Sequence, residues 1–119
     1  MRVGFEWIID AFDCDADKLR DMALLKEIFA TLIEDLGLNV IEERWYQFPI
    51  EKGITGFALL SESHIACHTY PEFGITTFNL YCCNRRAEWN WEENLRKKLD
   101  AQKVKVTFLE RGAVEARVS

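Results

Sequence analysis

The 119-residue sequence predicts an α+β domain, a mainly antiparallel sheet with two helices packed on one face and a strand-helix-strands pattern that occurs twice. Three observations carry this expectation. Short runs of β-branched, aromatic or alternating residues are bounded by Gly and Pro. Two stretches repeat apolar residues every three to four positions, as a half-buried helix does. The order is strand, helix, strands, then strands, helix, strand. With 49% apolar residues and no linker-like or low-complexity tract, one core over residues 1–119 is expected.

Residues 3–12 (VGFEWIIDAF) read as the first strand and run into the Asp-rich segment 13–17, suited to capping a helix. Leu19, Met22, Leu25, Phe29, Leu32 and Leu36 then mark one helix over about 16–36, closed by Gly37. Residues 39–48 form a second strand, broken by Pro49 to Gly53, and extended runs follow at 56–60 and 64–70. In 75–83, Thr76, Phe78, Leu80 and Cys82 share one face, while Thr77, Asn79, Tyr81 and Cys83 share the more polar one. A second helix over about 88–101 puts Trp91, Leu95 and Leu99 on one stripe, and 103–109 closes the sheet. Helices on one side only would leave the other sheet face free for a partner or a site.

A net charge of -5 argues against nucleic acid as a partner, because phosphate affinity comes from clustered Lys and Arg. Arg96, Lys97 and Lys98 sit among acids and read as a solvated helix face. Glu6 and Asp10 interrupt the opening apolar stretch too early for a signal-peptide core or a membrane span, so a cytoplasmic protein without a membrane partner is expected. The four cysteines, Cys14, Cys67, Cys82 and Cys83, read as free thiols, with Cys67 and Cys82 directed into the core.

Chemistry concentrates in Ser61 to Gly74, which holds hydroxyls, His64, His68, Cys67, Glu62 and Glu72. Two generic readings are the solvated face of a strand and a zinc site drawn from Cys67, His64 or His68, Cys82 and Cys83. The segment Glu62-Ser63-His64-Ile65, followed by His68-Thr69-Tyr70-Pro71-Glu72, closely resembles the processing site of bacterial-type S-adenosylmethionine decarboxylase proenzymes. Gly53-Ile54-Thr55-Gly56 and Asn79-Leu80-Tyr81-Cys82-Cys83 extend the resemblance over nearly the whole chain.

The resemblance implies self-cleavage between Glu62 and Ser63 into a β chain, 1–62, and an α chain, 63–119, with Ser63 becoming a pyruvoyl cofactor. That group would form a Schiff base with the substrate amine, and neither pyridoxal phosphate nor a metal is called for. His68 matches the processing histidine that helps remove the Cα proton of residue 63, and Thr55 a processing hydroxyl. Cys83 matches the proton donor of decarboxylation, and Glu72 the carboxylate that binds the ribose hydroxyls. The resemblance also implies a homodimer of cleaved protomers that builds its sites at the subunit junction, and a place in polyamine (spermidine) biosynthesis.

Three segments depart from the family pattern. Gly4-Phe5-Glu6 stands where Gly-Arg-His is usual, the loop Tyr46 to Gly53 shifts its aromatic Phe48 by one position, and Cys82-Cys83-Asn84 replaces Thr-Cys-Gly. A displaced Phe48 bears on stacking against adenine, while Glu6, Glu51 and Glu72 suit a substrate with a distal cation. S-adenosylmethionine is therefore the substrate expected, with L-arginine or L-ornithine as the alternative. A non-catalytic regulatory homologue is the reading from another class.

Overall fold

The computed structural model describes residues 1–114. Six strands form one antiparallel sheet: β1 (Arg2–Phe12), β2 (Val40–Gln47), β3 (Ile54–Leu60), β4 (Ser63–Tyr70), β5 (Ile75–Cys82) and β6 (Lys103–Ala113). Their spatial order is β2-β3-β4-β5-β1-β6, so β4 and β5 occupy the middle. Helices α1 (Ala16–Leu19) and α2 (Met22–Leu36) follow β1, and α3 (Trp91–Leu99) precedes β6. A 3-10 turn, Pro71–Phe73, joins β4 to β5.

The single helix expected over 16–36 is two helices. Asp15 caps α1 by accepting from the Asp17 and Lys18 amides, and Asp21 caps α2 by accepting from the Leu24 amide. Each Asp satisfies amide groups that a helix start leaves orphaned, which favours two starts over one continuous helix. The apolar spacing bridges the break because Leu19 and Leu25 are both buried in the same core. Gly37, at φ 62, ends α2 in the left-handed conformation that glycine adopts without a Cβ penalty. Helix α3 is shorter than the expected 88–101: Asn90 caps it and Asp100 ends it. Strand β5 stops at Cys82, one residue before Cys83.

One face of the sheet is covered. Ile9, Ala58, Ile65, Phe78 and Leu80 pack with Leu25, Ile28, Phe29 and Leu32 of α2 and with Trp91, Leu95 and Leu99 of α3. Phe29 links the layers, with its ring 4.6 Å from Trp45 and 6.3 Å from Phe78. Cys67 and Cys82 belong to this core. Alternation sends Thr55, Phe57 and Leu59, His64, Ala66 and His68, and Thr77, Asn79 and Tyr81 to the opposite face. No helix of the described residues is long and apolar enough to cross a membrane.

Candidate active site

The bond between Glu62 and Ser63 lies in the tight connection between β3, ending at Leu60, and β4, starting at Ser63. The Glu62 carbonyl oxygen accepts a hydrogen bond from the Cys83 amide at 2.9 Å. Its exposed carboxylate accepts from Asn84 Nδ2 and lies 3.9 Å from Arg86 Nη2. Ser63 is in register with Cys82 on the helix-covered side. There the Cys82 thiol is buried. Burial pushes that thiol's pKa up, and its hydrogen bond with Ser63 and the Arg86 charge pull it partly back. On the other side of the bond, a cleft of about 380 Å³ is lined by Ser63, Cys83, Leu59, His64 and Tyr81.

A second cluster lies at the far end of the sheet. Thr55 on β3 pairs with His68 on β4, and Thr55 Oγ1 is 3.1 Å from His68 Nδ1. Beside them, Phe48, Glu51 and Glu72, with Pro49, Ile50 and Tyr70, line a cleft of about 350 Å³. The loop that carries Phe48 is closed by its amide donating to the Gly53 carbonyl at 2.8 Å, and its ring meets Tyr46 edge-on at 4.9 Å. Gly53 is required here, since a Cβ would lie 2.6 Å from the Thr69 carbonyl oxygen. Thr69, buried behind the cleft, donates to the Leu19 carbonyl at 2.8 Å and accepts from the Ile54 amide at 2.9 Å.

The two clusters do not meet within one chain. Ser63 and His68 are five positions apart on β4, which separates them by about 17 Å and turns them to opposite faces. Cys83 stays with Ser63, whereas Thr55, Glu72, Phe48 and Glu51 stay with His68. Glu6 joins neither cleft. Its carboxylate is only 14% exposed on β1, where it accepts from Asn79 Nδ2 at 2.6 Å and from Arg111. That engagement leaves it poorly placed to receive a substrate cation. Among the described residues, no three His, Cys, Asp or Glu side chains converge in the manner a metal site requires. Burial also pushes the thiols of Cys14 and Cys67 up, to about 11 and about 12.

Three features here escaped the sequence reading. The contacts of Asn84 and Arg86 with Glu62 arise in the connection after β5, where no periodicity signals a role. The Cys83 amide is a backbone donor, which residue types do not reveal. The third is an aromatic row, Phe57, His64 and Tyr81, with ring centroids 5.8 and 5.7 Å apart. Its one sequence signal is Gly4, where a Cβ would collide with the Tyr81 hydroxyl.

Residues 5–112 match the family model described as S-adenosylmethionine decarboxylase. The S-adenosylmethionine decarboxylase proenzyme 2 of Halalkalibacterium halodurans is 32% identical over 111 residues, covering 92% of this chain and 87% of the relative. The S-adenosylmethionine decarboxylase proenzyme of Thermotoga maritima is 28% identical over 111 residues, covering 92% of this chain and 85% of the relative. Among solved structures, the adenosylmethionine decarboxylase from Aquifex aeolicus superposes with a TM-score of 0.81 at 26% identity, covering 99% of this chain and 98% of that one.

Proposed function

The chain belongs to the S-adenosylmethionine decarboxylase family, and we propose that it is a self-processing, pyruvoyl-dependent decarboxylase acting on S-adenosylmethionine for polyamine synthesis in the cytoplasm. The observation that carries this reading is the Cys83 amide on the Glu62 carbonyl oxygen, 2.9 Å away at the bond to be cut. Attack of Ser63 Oγ on that carbonyl carbon drives negative charge onto the oxygen, where a fixed N–H donor stabilises it. Collapse converts the amide into an ester. Removal of the Cα proton of residue 63 then expels the Glu62 carboxylate and leaves dehydroalanine. Water adds to this residue and ammonia leaves, giving fragments 1–62 and 63–119 with a pyruvoyl group at position 63.

The residues fit that group: Ser63 supplies its carbons, the adjoining cleft gives access, and Cys83 lines the same cleft with an exposed thiol. When present, the pyruvoyl carbonyl supplies the electron sink for the carbanion that loss of carbon dioxide creates. Cys83 Sγ holds the proton returned to the substrate Cα. Glu72 receives the ribose hydroxyls, while Phe48 provides an apolar wall for the base and Glu51 adds charge to the rim.

A base is needed beside residue 63, and His68 of the same chain is about 17 Å along the strand. The enzyme is accordingly a homodimer whose two uncovered sheet faces meet about a two-fold axis. Such an axis brings the Ser63 end of one protomer against the Thr55 and His68 end of its partner, and does the same in reverse. The Phe48 and Glu72 cleft travels with His68, so the substrate pocket and the cofactor come together in the same step. Phe57 and Leu59, about 40% exposed on this face, supply apolar surface for the contact.

Intact mass and carbon dioxide release test the proposal together. The purified 13.9 kDa chain should separate under denaturation into two fragments cut after residue 62. It should release carbon dioxide from S-adenosylmethionine in preference to L-arginine and L-ornithine. Cleavage with release from arginine or ornithine alone would refute the substrate while leaving the cofactor standing. An uncut chain with no activity on any of the three would identify a non-catalytic homologue.

A further inference from the structure

Arg86 stands in an unusual position beside the bond to be cut. Its Nη2 is 3.9 Å from the Glu62 carboxylate, and its Nη1 donates to the Leu36 carbonyl at 3.4 Å, which ties it to the end of α2. Its Nε is buried and has no hydrogen-bond partner among the described residues. A buried guanidinium N–H left unpaired costs free energy and is uncommon in a folded protein, so the group has donor capacity in reserve. Its charge also bears on the Cys82 thiol, drawing the pKa down against the effect of burial. Arg86 therefore bears directly on the residue before the scissile bond.

Self-cleavage changes the charge at this place. Before it, residue 62 carries one carboxylate, on its side chain; after elimination it carries a second, on its main chain. The new anion appears within a connection whose nearby fixed donors are the Cys83 amide, Asn84 and Arg86. Arg86 is the cation in that set. An arginine fork can donate to two carboxylate oxygens at once, and an unfilled N–H suits a ligand that forms only when the chain is cut.

We propose that Arg86 is a positioning residue for self-cleavage, anchoring Glu62 before the cut and binding the carboxylate that the cut creates on residue 62. This rests on the self-cleavage reading given above. In the intact chain, Arg86 and Asn84 fix the Glu62 side chain while the Cys83 amide fixes its carbonyl, so Ser63 Oγ meets a carbonyl with restricted orientation. In the cleaved protein, Arg86 retains the end of fragment 1–62 beside the cofactor. It thereby opposes the departure of a strand end that no longer has a covalent tie.

The test follows cleavage by intact mass in the wild-type chain and in Arg86→Lys, Arg86→Met and Arg86→Ala. Loss of positioning should slow the cut on the order of 10- to 100-fold in Arg86→Met. Lysine, which keeps the charge without the fork, should restore part of the rate. Millimolar guanidinium ion should speed the cut in Arg86→Ala but leave Ser63→Ala uncut, a rescue that a purely structural role does not predict. Near-UV circular dichroism in a Ser63→Ala background reports whether each Arg86 variant folds. Should Arg86→Met fail to fold, Arg86→Lys with the guanidinium experiment carries the test. Fragment 1–62 should also separate from 63–119 more readily in cleaved Arg86→Met, read by native mass spectrometry. Cleavage at the wild-type rate in Arg86→Met, without rescue of Arg86→Ala, would overturn the role of Arg86 alone. A wild-type chain that stays whole would overturn the self-cleavage reading and this proposal with it.

Discussion

Cys83 differs from the other three cysteines in being exposed, while Cys14, Cys67 and Cys82 are buried. Brief treatment of the folded chain with iodoacetamide near pH 8 should therefore add one label, on Cys83, and four after unfolding, counted by peptide mass. Burial makes a further prediction through pH. The Cys67 thiol is raised from an ordinary 9.0 to about 12, so above pH 9 the unfolded chain loses this proton while the folded chain keeps it. Its contribution to stability is complete below pH 9 and declines by about 1.4 kcal/mol per pH unit as pH rises toward 12. The urea midpoint should fall between pH 8 and pH 10, and less steeply in Cys67→Ala; equal slopes would contradict the assignment. The burial of Cys67 and Cys82 was readable in the sequence, because strand alternation fixes which neighbours share a face. The placement of Arg86 beside Glu62 was not, because it depends on how the connection after β5 folds back over the β3–β4 turn.

Elements hold the two clusters at their separate ends of the sheet. Thr69 joins three of them, since its hydroxyl donates to the last residue of α1 and accepts from the first of β3 while its backbone belongs to β4. Thr69→Val keeps the shape but leaves a buried carbonyl and a buried amide unpaired, each costing about 1 to 3 kcal/mol. Chemical denaturation should show a loss of a few kcal/mol, and KM for substrate should rise because the Phe48 and Glu72 cleft is built on this junction. Leu95→Ala, in the wholly buried stripe of α3, should cost about 2 to 5 kcal/mol with no specific effect on KM. The helices and strands were legible from periodicity and turn residues to within a few positions. The break between α1 and α2 was missed because Asp21 sits on a polar position of the helical pattern, where a cap and a solvated side chain look alike. The family resemblance implied one functional set of Ser63, His68 and Cys83 without showing that five positions of extended strand keep the first two apart.

At the scale of the whole molecule, that separation makes a prediction no single chain can satisfy. If His68 acts across a two-fold interface, a Ser63→Ala chain, which cannot be cut, still offers its His68 to a partner. A His68→Ala chain keeps a cleavable Glu62-Ser63 bond but offers no base in return. Each variant produced alone should remain uncut. When the two are co-expressed with tags that distinguish them by mass, mixed dimers should present the intact His68 to the intact Ser63. At equal expression and random pairing, about half of the His68→Ala chains should then appear as two fragments, while the Ser63→Ala chains stay whole. If His68 serves its own chain instead, mixing rescues nothing and both chains remain intact. A further arm separates dimerisation from catalysis. Phe57→Lys places a charge on the uncovered face, outside both clefts, where an unpaired charge buried in the dimer would weaken association. Sedimentation should show a shift toward monomer in this variant, with cleavage slowed in the same proportion. A monomeric Phe57→Lys that cuts itself at full speed would place the base within the protomer and rule out the shared site.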